Sequence, residues 1–298
     1  RIEDEASKLN VNASPVAALE AFFDSREIAD SVIDWRDKDD IPRAFGAETQ
    51  YYSNLRVPYT PKNAHFDTIG ELMLIKGVTD QIQKDPITSD GRALIDSLTV
   101  YSHDTNVSGD GKQRVNINTA SKDELKAELG DVLTDRDIEA IVRARDRSNA
   151  SSGGSTSRRG KFKSVGELLF VRGIRREKVK QVLDRITVKD KINLPGLINV
   201  NTASTMVLAA VPGFDQNIAQ EIVAYRNANG SFHDVGNLLD LNEITNRAFA
   251  RASDYLTTRS KVFKIISTGR SANGRSSLVI TCVVDLSKGG PQIKYWQE

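Results

Sequence analysis

The sequence Ile-Asn-Val-Asn-Thr-Ala-Ser at residues 198–204 decides the organisation of the chain, because close copies of it occur twice more. One copy reads Val-Asn-Ile-Asn-Thr-Ala-Ser at residues 115–121, and the other reads Leu-Asn-Val-Asn-Ala-Ser at residues 9–14. Each copy is followed by a helix-like stretch that ends in arginine, and then by Phe-x-x-x-Gly-x-Leu. The arginines are Arg36, Arg145 and Arg226, and the phenylalanines are Phe66, Phe162 and Phe232. Three landmarks in one order predict three copies of one module.

The residues of each module predict a small bundle of short helices. The small polar residues of the Asn-x-Asn motif can satisfy free backbone donors where the chain turns into a helix. Ser121 with Glu124 has the spacing of a capping box, in which each side chain bonds the other residue's backbone. Pro212 and Gly213 interrupt an apolar stripe of helical spacing, which predicts two helices joined by a tight turn.

The three copies differ in the loop before the phenylalanine. In copy three this loop consists of residues 227–231, whereas in copy two it contains a Ser/Gly-rich stretch at residues 151–157. Such a composition predicts a flexible surface insertion. Copy one has the longest insertion, residues 37–65, which is acidic and aromatic.

The C-terminal part of the chain changes to a β-strand pattern. Residues 261–269, 277–286 and 293–296 are rich in β-branched and aromatic side chains, with turn-like sequences at 272–275 and 287–291. This pattern predicts a three-stranded antiparallel meander, which needs a cover on one face. Residues 98–102 could add a further strand. The sequence therefore predicts an α+β fold with helical modules inserted between parts of a sheet domain.

Composition excludes several classes of protein. The chain has 298 residues with 41 basic and 40 acidic side chains, a balance that disfavours a protein built mainly to bind nucleic acid. A single cysteine, Cys282, excludes an internal disulfide and, with three scattered histidines, a Cys/His zinc site. No nucleophile elbow, phosphate-binding glycine loop or dinucleotide fingerprint is present, so we expect no enzyme activity.

The densest group of carboxylates lies in and after the arginine-ending stretch of copy one. Calcium takes six to eight oxygen ligands, and clustered carboxylates repel one another unless a cation lies between them. The candidate metal ligands are Asp34, Asp37, Asp39, Asp40 and Glu48. The alternative is a solvated acidic loop in which Asp34 caps a helix or pairs with Arg36 or Arg43.

Residues 104–111 offer a second, weaker candidate. Their Asp-x-Asn-x-Ser-Gly opening matches the first half of an EF-hand loop and provides Asp104, Asn106 and Asp110 as ligands. The acid expected at the twelfth position is replaced by Val115. An ordinary turn rich in Asp and Asn is the alternative interpretation.

Copy three, residues 199–239, resembles a helix-hairpin-helix domain of DNA-uptake proteins. That resemblance implies a Gly-hydrophobic-Gly turn that offers backbone amides to a DNA phosphate. Here Asp215 occupies the position of the second glycine, and its charge would repel phosphate. A helix-hairpin-helix DNA-binding protein is the alternative function, and the near-zero net charge disfavours DNA as a partner.

Copy one resembles the type II secretion minor pseudopilin K family more specifically. The most distinctive part is Ile-Asp-Trp-Arg-Asp-Lys-Asp-Asp at residues 33–40, followed by Gly-Ala-Glu at 46–48 and a Tyr pair at 51–52. Pro-Tyr-Thr-Pro-Lys-Asn at residues 58–63 continues the similarity. A related type IV pilus system is the alternative source of this pattern.

The resemblance implies a pilin-like domain, made of an N-terminal helix and an antiparallel sheet, with a helical domain inserted into it. It also implies a structural protein that initiates and caps a periplasmic pseudopilus with other minor pseudopilins and supports protein export. Calcium held by the acidic loop belongs to the same expectation. The resemblance further implies a hydrophobic helix before residue 1 that anchors the protein in the bacterial inner membrane. That helix and residues 1–23 would dock the partners.

We therefore expect four parts along the chain. Residues 1–115 contain the N-terminal helix and the first module, as part of the pilin-like domain. Residues 116–195 form the second module and residues 196–256 the third. Residues 257–298 complete the pilin-like sheet.

Overall fold

The protein consists of a four-stranded sheet and three helical modules, as seen in a computed structural model that describes residues 1–80, 82, 93–146, 160–271 and 277–298. The strands are β1 (Ile2–Asp4), β2 (Leu9–Asn10), β3 (Leu98–Thr99), β4 (His103–Asp104), β5 (Val115–Asn116), β6 (Ile186–Thr187), β7 (Leu194–Pro195), β8 (Ile198–Asn199), β9 (Leu256–Thr257), β10 (Val262–Arg270), β11 (Ser277–Lys288) and β12 (Gly290–Gln297). The α-helices are α1 (Val16–Phe23), α2 (Arg26–Arg36), α3 (Thr49–Ser53), α4 (Lys122–Leu129), α5 (Asp135–Asp146), α6 (Arg176–Val182), α7 (Thr205–Ala209), α8 (Gln216–Asn229) and α9 (Asn246–Ala252).

Each module begins and ends with a two-residue strand, and the two strands pair in parallel. β2 pairs with β3, β5 with β6, and β8 with β9. Between the paired strands lie the short helices and a 3-10 helix that begins after the repeated phenylalanine. The 3-10 helices are Ile69–Leu74, Val165–Phe170 and Val235–Asp240. Module one therefore extends from Leu9 to Thr99, module two from Val115 to Thr187 and module three from Ile198 to Thr257.

The repeated arginine explains how each module holds its first turn. Arg145 donates to the carbonyls of Ile117 at 3.0 Å and Ala120 at 2.6 Å. Arg226 donates in the same way to the carbonyl of Val200 at 2.7 Å. The guanidinium thus satisfies carbonyl groups that the Asn-x-Asn turn leaves without partners, which accounts for the arginine at the end of the second helix.

The modules share one continuous apolar core that extends from Leu9 to Leu256. Side chains at helical spacing supply it, including Leu19, Ile138 and Phe249, all of them fully buried. Burying this stripe is the main stabilising contribution for helices as short as these.

The sheet has the order β1-β10-β11-β12, and every neighbouring pair is antiparallel. The three predicted C-terminal strands are confirmed, with Gly289 at φ 54° in the turn between the last two. One face of the sheet lies towards module one, where the rings of Tyr101 and Tyr295 are 6.4 Å apart between centroids. The turn predicted at residues 272–275 and the insertion predicted at 151–157 lie outside the described residues.

One expectation about the sheet domain was wrong. Residues 98–102 do not add a strand to it, because Leu98–Thr99 pairs with β2 and closes module one. The fourth strand is instead Ile2–Asp4, which pairs with β10. The described residues therefore begin with a strand of the sheet. The first α-helix of the described residues, α1, belongs to module one. Among those residues, no helix is both long and apolar enough to cross a bilayer.

Candidate metal centre in the acidic loop

The acidic loop of module one, residues 37–48, begins where α2 ends. Ser25 caps α2 by accepting a hydrogen bond from the Ile28 amide at 3.3 Å, and Arg36 is its last residue. Asp34 and Trp35 in the last turn are both buried. Trp35 packs edge-to-face against Tyr52, with 5.5 Å between the ring centroids. Trp35 is therefore part of the buried core of module one.

The structure brings three of the predicted ligands together. Asp34, Asp37 and Glu48 each offer a carboxylate oxygen, and these oxygens lie within 4.8 Å of one another. Among the described residues, this is the one group of three or more His, Cys, Asp or Glu side chains with that geometry. Several of its oxygens are buried without any hydrogen-bond partner. They are Asp34 Oδ1, Asp37 Oδ1, Glu48 Oε1 and Glu48 Oε2.

Gly46 explains how Glu48 reaches Asp34 from the far end of the loop. A Cβ atom on Gly46 would lie 1.9 Å from Asp34 Oδ2, so only glycine allows the backbone to pass this close. The Arg43 amide donates to the same Oδ2 at 3.1 Å and fixes the carboxylate from the other side. The Gly-Ala-Glu motif is therefore a close-approach turn that delivers a buried glutamate to the two aspartates.

Without a cation, the ionised forms of these three carboxylates are unfavourable in the folded chain. Burial, together with repulsion from Asp37, raises the pKa of Asp34 to about 6. Burial and the charges of Asp34 and Asp37 raise the pKa of Glu48 to about 8. A carboxyl group with such a pKa is poorly compensated by its surroundings, and a bound cation would reverse the shift.

Neither neighbouring arginine neutralises Asp34 through its side chain. The Arg36 guanidinium donates to the carbonyls of Val11 and Ser14, and the Arg43 side chain donates to Asp30 at 3.1 Å. These arginines thus serve module packing and a separate ion pair. Of the solvated-loop alternative, the described contacts include the bond from the Arg43 amide to Asp34 but no side-chain ion pair between Asp34 and either arginine.

Asp39 and Asp40 lie on the exposed rim of the loop. Asp39 Oδ1 accepts from the Ile41 amide at 3.0 Å, and Asp40 Oδ1 accepts from the Thr49 amide at 3.1 Å. Asn63 is a residue that the candidate set omitted. Its Nδ2 donates to the Asp39 carbonyl at 2.9 Å, while its buried Oδ1 has no partner. Its place in the Pro-Tyr-Thr-Pro-Lys-Asn motif was the available signal.

The residues of the second candidate, 104–111, are engaged in separate contacts. Asp104 Oδ2 accepts from Thr257 Oγ1 at 2.9 Å, and Asn106 Nδ2 donates to the Lys191 carbonyl at 2.9 Å. Asp110 accepts from Ser108 Oγ. The three side chains thus bond different partners, as in an ordinary turn rich in Asp and Asn.

The donor set at Asp34, Asp37 and Glu48 consists entirely of oxygen atoms. Hard cations such as calcium prefer carboxylate and carbonyl oxygens, whereas zinc and copper sites usually include nitrogen or sulfur. The orphaned oxygens and raised pKa values fit a divalent cation of this hard class.

Two family models match separate parts of the chain. Residues 16–85 match protein K of the type II secretion system (T2SS), a range that includes the whole acidic loop. Residues 196–257 match a helix-hairpin-helix motif, which is module three.

Curated relatives match the chain only in part. The transcriptional accessory protein Tex of Neisseria gonorrhoeae is 34% identical over 94 residues, which are 32% of this chain and 12% of Tex. The mouse endonuclease/exonuclease/phosphatase family domain-containing protein 1 is 29% identical over 165 residues, covering 46% of this chain and 26% of its own length. The chain thus spans about an eighth to a quarter of these relatives.

The fold of the whole chain is similar to a solved structure of the same secretion system. The match is to the crystal structure of the GspK-GspI-GspJ complex from enterotoxigenic Escherichia coli, with a TM-score of 0.52 and 14% identity. It covers 99% of this chain and 77% of the matched chain. The sequence match over the first module and the similar fold of the chain both support the type II secretion system protein K family.

Proposed function

We propose that the chain is a minor pseudopilin at the tip of a type II secretion pseudopilus, where it initiates assembly and supports protein export. The family match supports a pseudopilin role, and the similar crystal structure is that of a complex of GspK with GspI and GspJ. By this analogy, the partners of the chain are the other minor pseudopilins of the tip. In this proposal the chain has a structural role and is not an enzyme.

The observation that carries this proposal is the outer face of the sheet, the face turned away from module one. Register places Ile265, Cys282 and Trp296 side by side on it, with Val284 and Ile293 in the next row. Several side chains of this face remain largely exposed, which is unusual for apolar residues on a sheet. The most exposed are Ile2 at 71%, Ile293 at 62%, Leu278 at 52% and Trp296 at 50%.

A continuous apolar face on a four-stranded sheet needs a cover, and an amphipathic helix is the usual one. This is the packing that a pilin-like subunit uses to join a helical bundle of subunits, according to the resemblance. Module one lies on the opposite face of the sheet, where Thr68 and Thr99 line a common pocket with Val283 and Tyr295.

Co-purification with the two other minor pseudopilins tests the proposal. Leu286, two residues after Val284 on the same face, is 47% exposed. Replacing Leu286 and Trp296 by Asp should abolish co-purification while the melting temperature of the isolated chain changes little. Val57→Asp is the control, since Val57 is 75% exposed in module one, away from the sheet. Charge reversals within residues 1–23 that leave the fold intact should also break assembly. Unchanged co-purification in the sheet variant would contradict the proposal.

We also propose that Asp34, Asp37 and Glu48 hold a calcium ion. Bound there, calcium would supply the positive charge that compensates the three carboxylates. The chain's own contribution is to bury the oxygens, to close the loop through Gly46 and to hold Asp34 with the Arg43 amide. Titration calorimetry with calcium, with magnesium as the comparison ion, tests this. Asp37→Asn should remove binding, whereas Asp39→Asn should retain it, because Asp39 lies on the rim.

The proposed location follows from the pseudopilin role: this part lies in the periplasm and a hydrophobic helix anchors it in the inner membrane. Fractionation of cells that express the full-length protein tests this placement. DNA binding receives less support from the geometry. The turn of the helix-hairpin-helix motif packs on α9, since a Cβ on Gly213 would lie 2.7 Å from both the Ala248 carbonyl oxygen and Arg251 Cβ.

A further inference from the structure

Modules two and three meet along a closely fitted seam. The 3-10 helix Val165–Phe170 of module two packs against α9 of module three, and Ser164 Oγ donates to the Ala250 carbonyl at 2.6 Å. The Gly166 amide donates to Ser253 Oγ at 3.1 Å. A Cβ on Gly166 would lie 2.7 Å from Ala250 Cα, so the two backbones are in direct contact. Residues on either side of this seam are therefore held in fixed relation.

A surface cleft of about 560 Å³ opens beside the seam, and we call it the basic cleft. Four exposed cations line it, two from each module: Lys161, Lys163, Arg247 and Arg251. The aromatic side chain of Phe170, 40% exposed, forms part of the wall. One carboxylate is present, Glu167, and its Oε2 already accepts from the Lys163 backbone amide at 3.1 Å.

None of these four cations pairs with a described carboxylate, whereas some other cations of module two do. Within the described part of module two, Lys122 pairs with Glu139 at 2.8 Å and Lys126 with Asp135 at 2.8 Å. No described carboxylate lies within 4 Å of the charged groups in the basic cleft. The positive charge there is consequently not neutralised, although the chain as a whole carries a net charge of only +1.

The module fold does not require cations at these positions. Lys161 and Lys163 flank the repeated Phe162, and the corresponding positions of the other modules are not lysine. They are His65, Asp67, Ser231 and His233. In the same alignment, Arg247 and Arg251 of module three correspond to Glu177 and Gln181 of module two. The four cations thus occur at the positions that line the cleft, whereas the equivalent positions named above carry no lysine or arginine.

We propose that the basic cleft binds an acidic peptide segment that carries an aromatic side chain beside its carboxylates. Carboxylates would pair with the lysines and arginines, and the aromatic side chain would pack against Phe170. Single exposed ion pairs contribute little, so affinity requires several of the four cations acting together on a fixed frame. A cleft of this volume matches a short extended segment of a few residues.

Fluorescence anisotropy with the full chain tests the proposal. The probe is a labelled peptide, Asp-Glu-Phe-Asp-Glu-Asp, measured at low salt. The double variant Arg247→Glu with Arg251→Glu should weaken binding about tenfold or more, because attraction becomes repulsion in the cleft. The double variant Arg136→Glu with Lys288→Glu changes the net charge equally at two exposed positions outside the cleft, and it should weaken binding less than about twofold.

A second variant, Lys161→Gln with Lys163→Gln, keeps the test valid if the arginine variant unfolds, since both side chains are exposed. It should weaken binding at an unchanged melting temperature. Equal binding of the neutral peptide Asn-Gln-Phe-Asn-Gln-Asn would overturn the proposal, as would equal losses in the control variant. Tighter binding of a short oligothymidylate that depends on the same four cations would overturn the peptide assignment in favour of nucleic acid.

Discussion

Asn118 and the backbone of Phe162 bind each other through two hydrogen bonds across 44 residues. Asn118 Nδ2 donates to the Phe162 carbonyl at 2.9 Å, and Asn118 Oδ1 accepts from the Phe162 amide at 2.8 Å. Modules one and three repeat this amide clamp with the pairs Asn12–Phe66 and Asn201–Phe232. Only a side-chain amide offers a donor and an acceptor side by side, which explains the second Asn of the repeated motif.

The amide clamp predicts a large loss of stability for Asn118→Ala. The change removes both hydrogen bonds and leaves two partly buried backbone groups unpaired, which costs about 2–3 kcal/mol in free energy of unfolding. Denaturant unfolding followed by circular dichroism measures this. Asn229→Ala is the control, since the exposed Asn229 makes one bond, to the Tyr225 carbonyl at 3.1 Å, and should cost under about 0.5 kcal/mol. Equal losses would show that the clamp is not important for stability.

Glu48→Gln should separate metal binding from the stability of the metal-free fold. Because the pKa of Glu48 is raised to about 8, this carboxyl is largely neutral at pH 7 without metal, and the neutral amide replaces it at little cost. The melting temperature in chelator should change by no more than a few degrees. The increase caused by calcium should disappear. A variant that keeps the full calcium response would remove Glu48 from the ligand set.

The pH dependence of the metal-free chain should have a definite sign. The folded-state pKa values of Asp34 and Glu48 are raised, so the folded chain binds more protons than the unfolded chain between about pH 4 and pH 8. Stability in chelator should therefore fall as pH rises through this window. Calcium affinity should rise over the same range, since the ion competes with protons. Melting curves from pH 5 to pH 8.5 check both, and stability that rises with pH in chelator would contradict the assignment.

Gly46→Ala should disrupt the acidic loop. The added Cβ would overlap Asp34 Oδ2, so the loop must shift away, at a cost of about 1–3 kcal/mol in stability. Calcium binding should weaken at the same time because Glu48 moves with the loop. Gly70→Ala provides the comparison, as its Cβ would meet only Thr68 Oγ1, at 3.7 Å. Melting and calorimetry of both variants give the result, and similar behaviour of the two would contradict the close-approach role of Gly46.

Much of the architecture could be predicted because each repeat has recognisable sequence motifs. The three modules, their capping residues and the C-terminal strands follow from motif order and local pattern. The parallel strand pairs could not be predicted, because a two-residue strand such as Leu98–Thr99 shows no periodicity and pairs with residues far away in sequence. The N-terminal strand Ile2–Asp4 is equally hard to recognise, and its partner Phe263–Ile265 lies at the other end of the chain.

The candidate metal centre shows the same division between what the sequence predicts and what it does not. The sequence places five carboxylates near one another, but it does not say which of them point inwards. Asp34 is buried because the loop folds back over it with Gly46 against its carboxylate, whereas Asp39 and Asp40 bond loop amides at the surface. Glu48 is buried among them because Gly46 allows the return of the backbone. Side-chain direction in an irregular loop depends on such close contacts, and local pattern does not encode them.

The parallel pairing of β5 with β6, and of its two counterparts, has a consequence for how such a chain can change over evolutionary time. The first and last residues of each module are separated by one strand spacing across the pair and one residue along it, roughly 6 Å. A duplicated or deleted copy therefore alters the path of the surrounding chain very little. The three modules can be understood as cassettes whose number is free to vary while the sheet strands keep their partners.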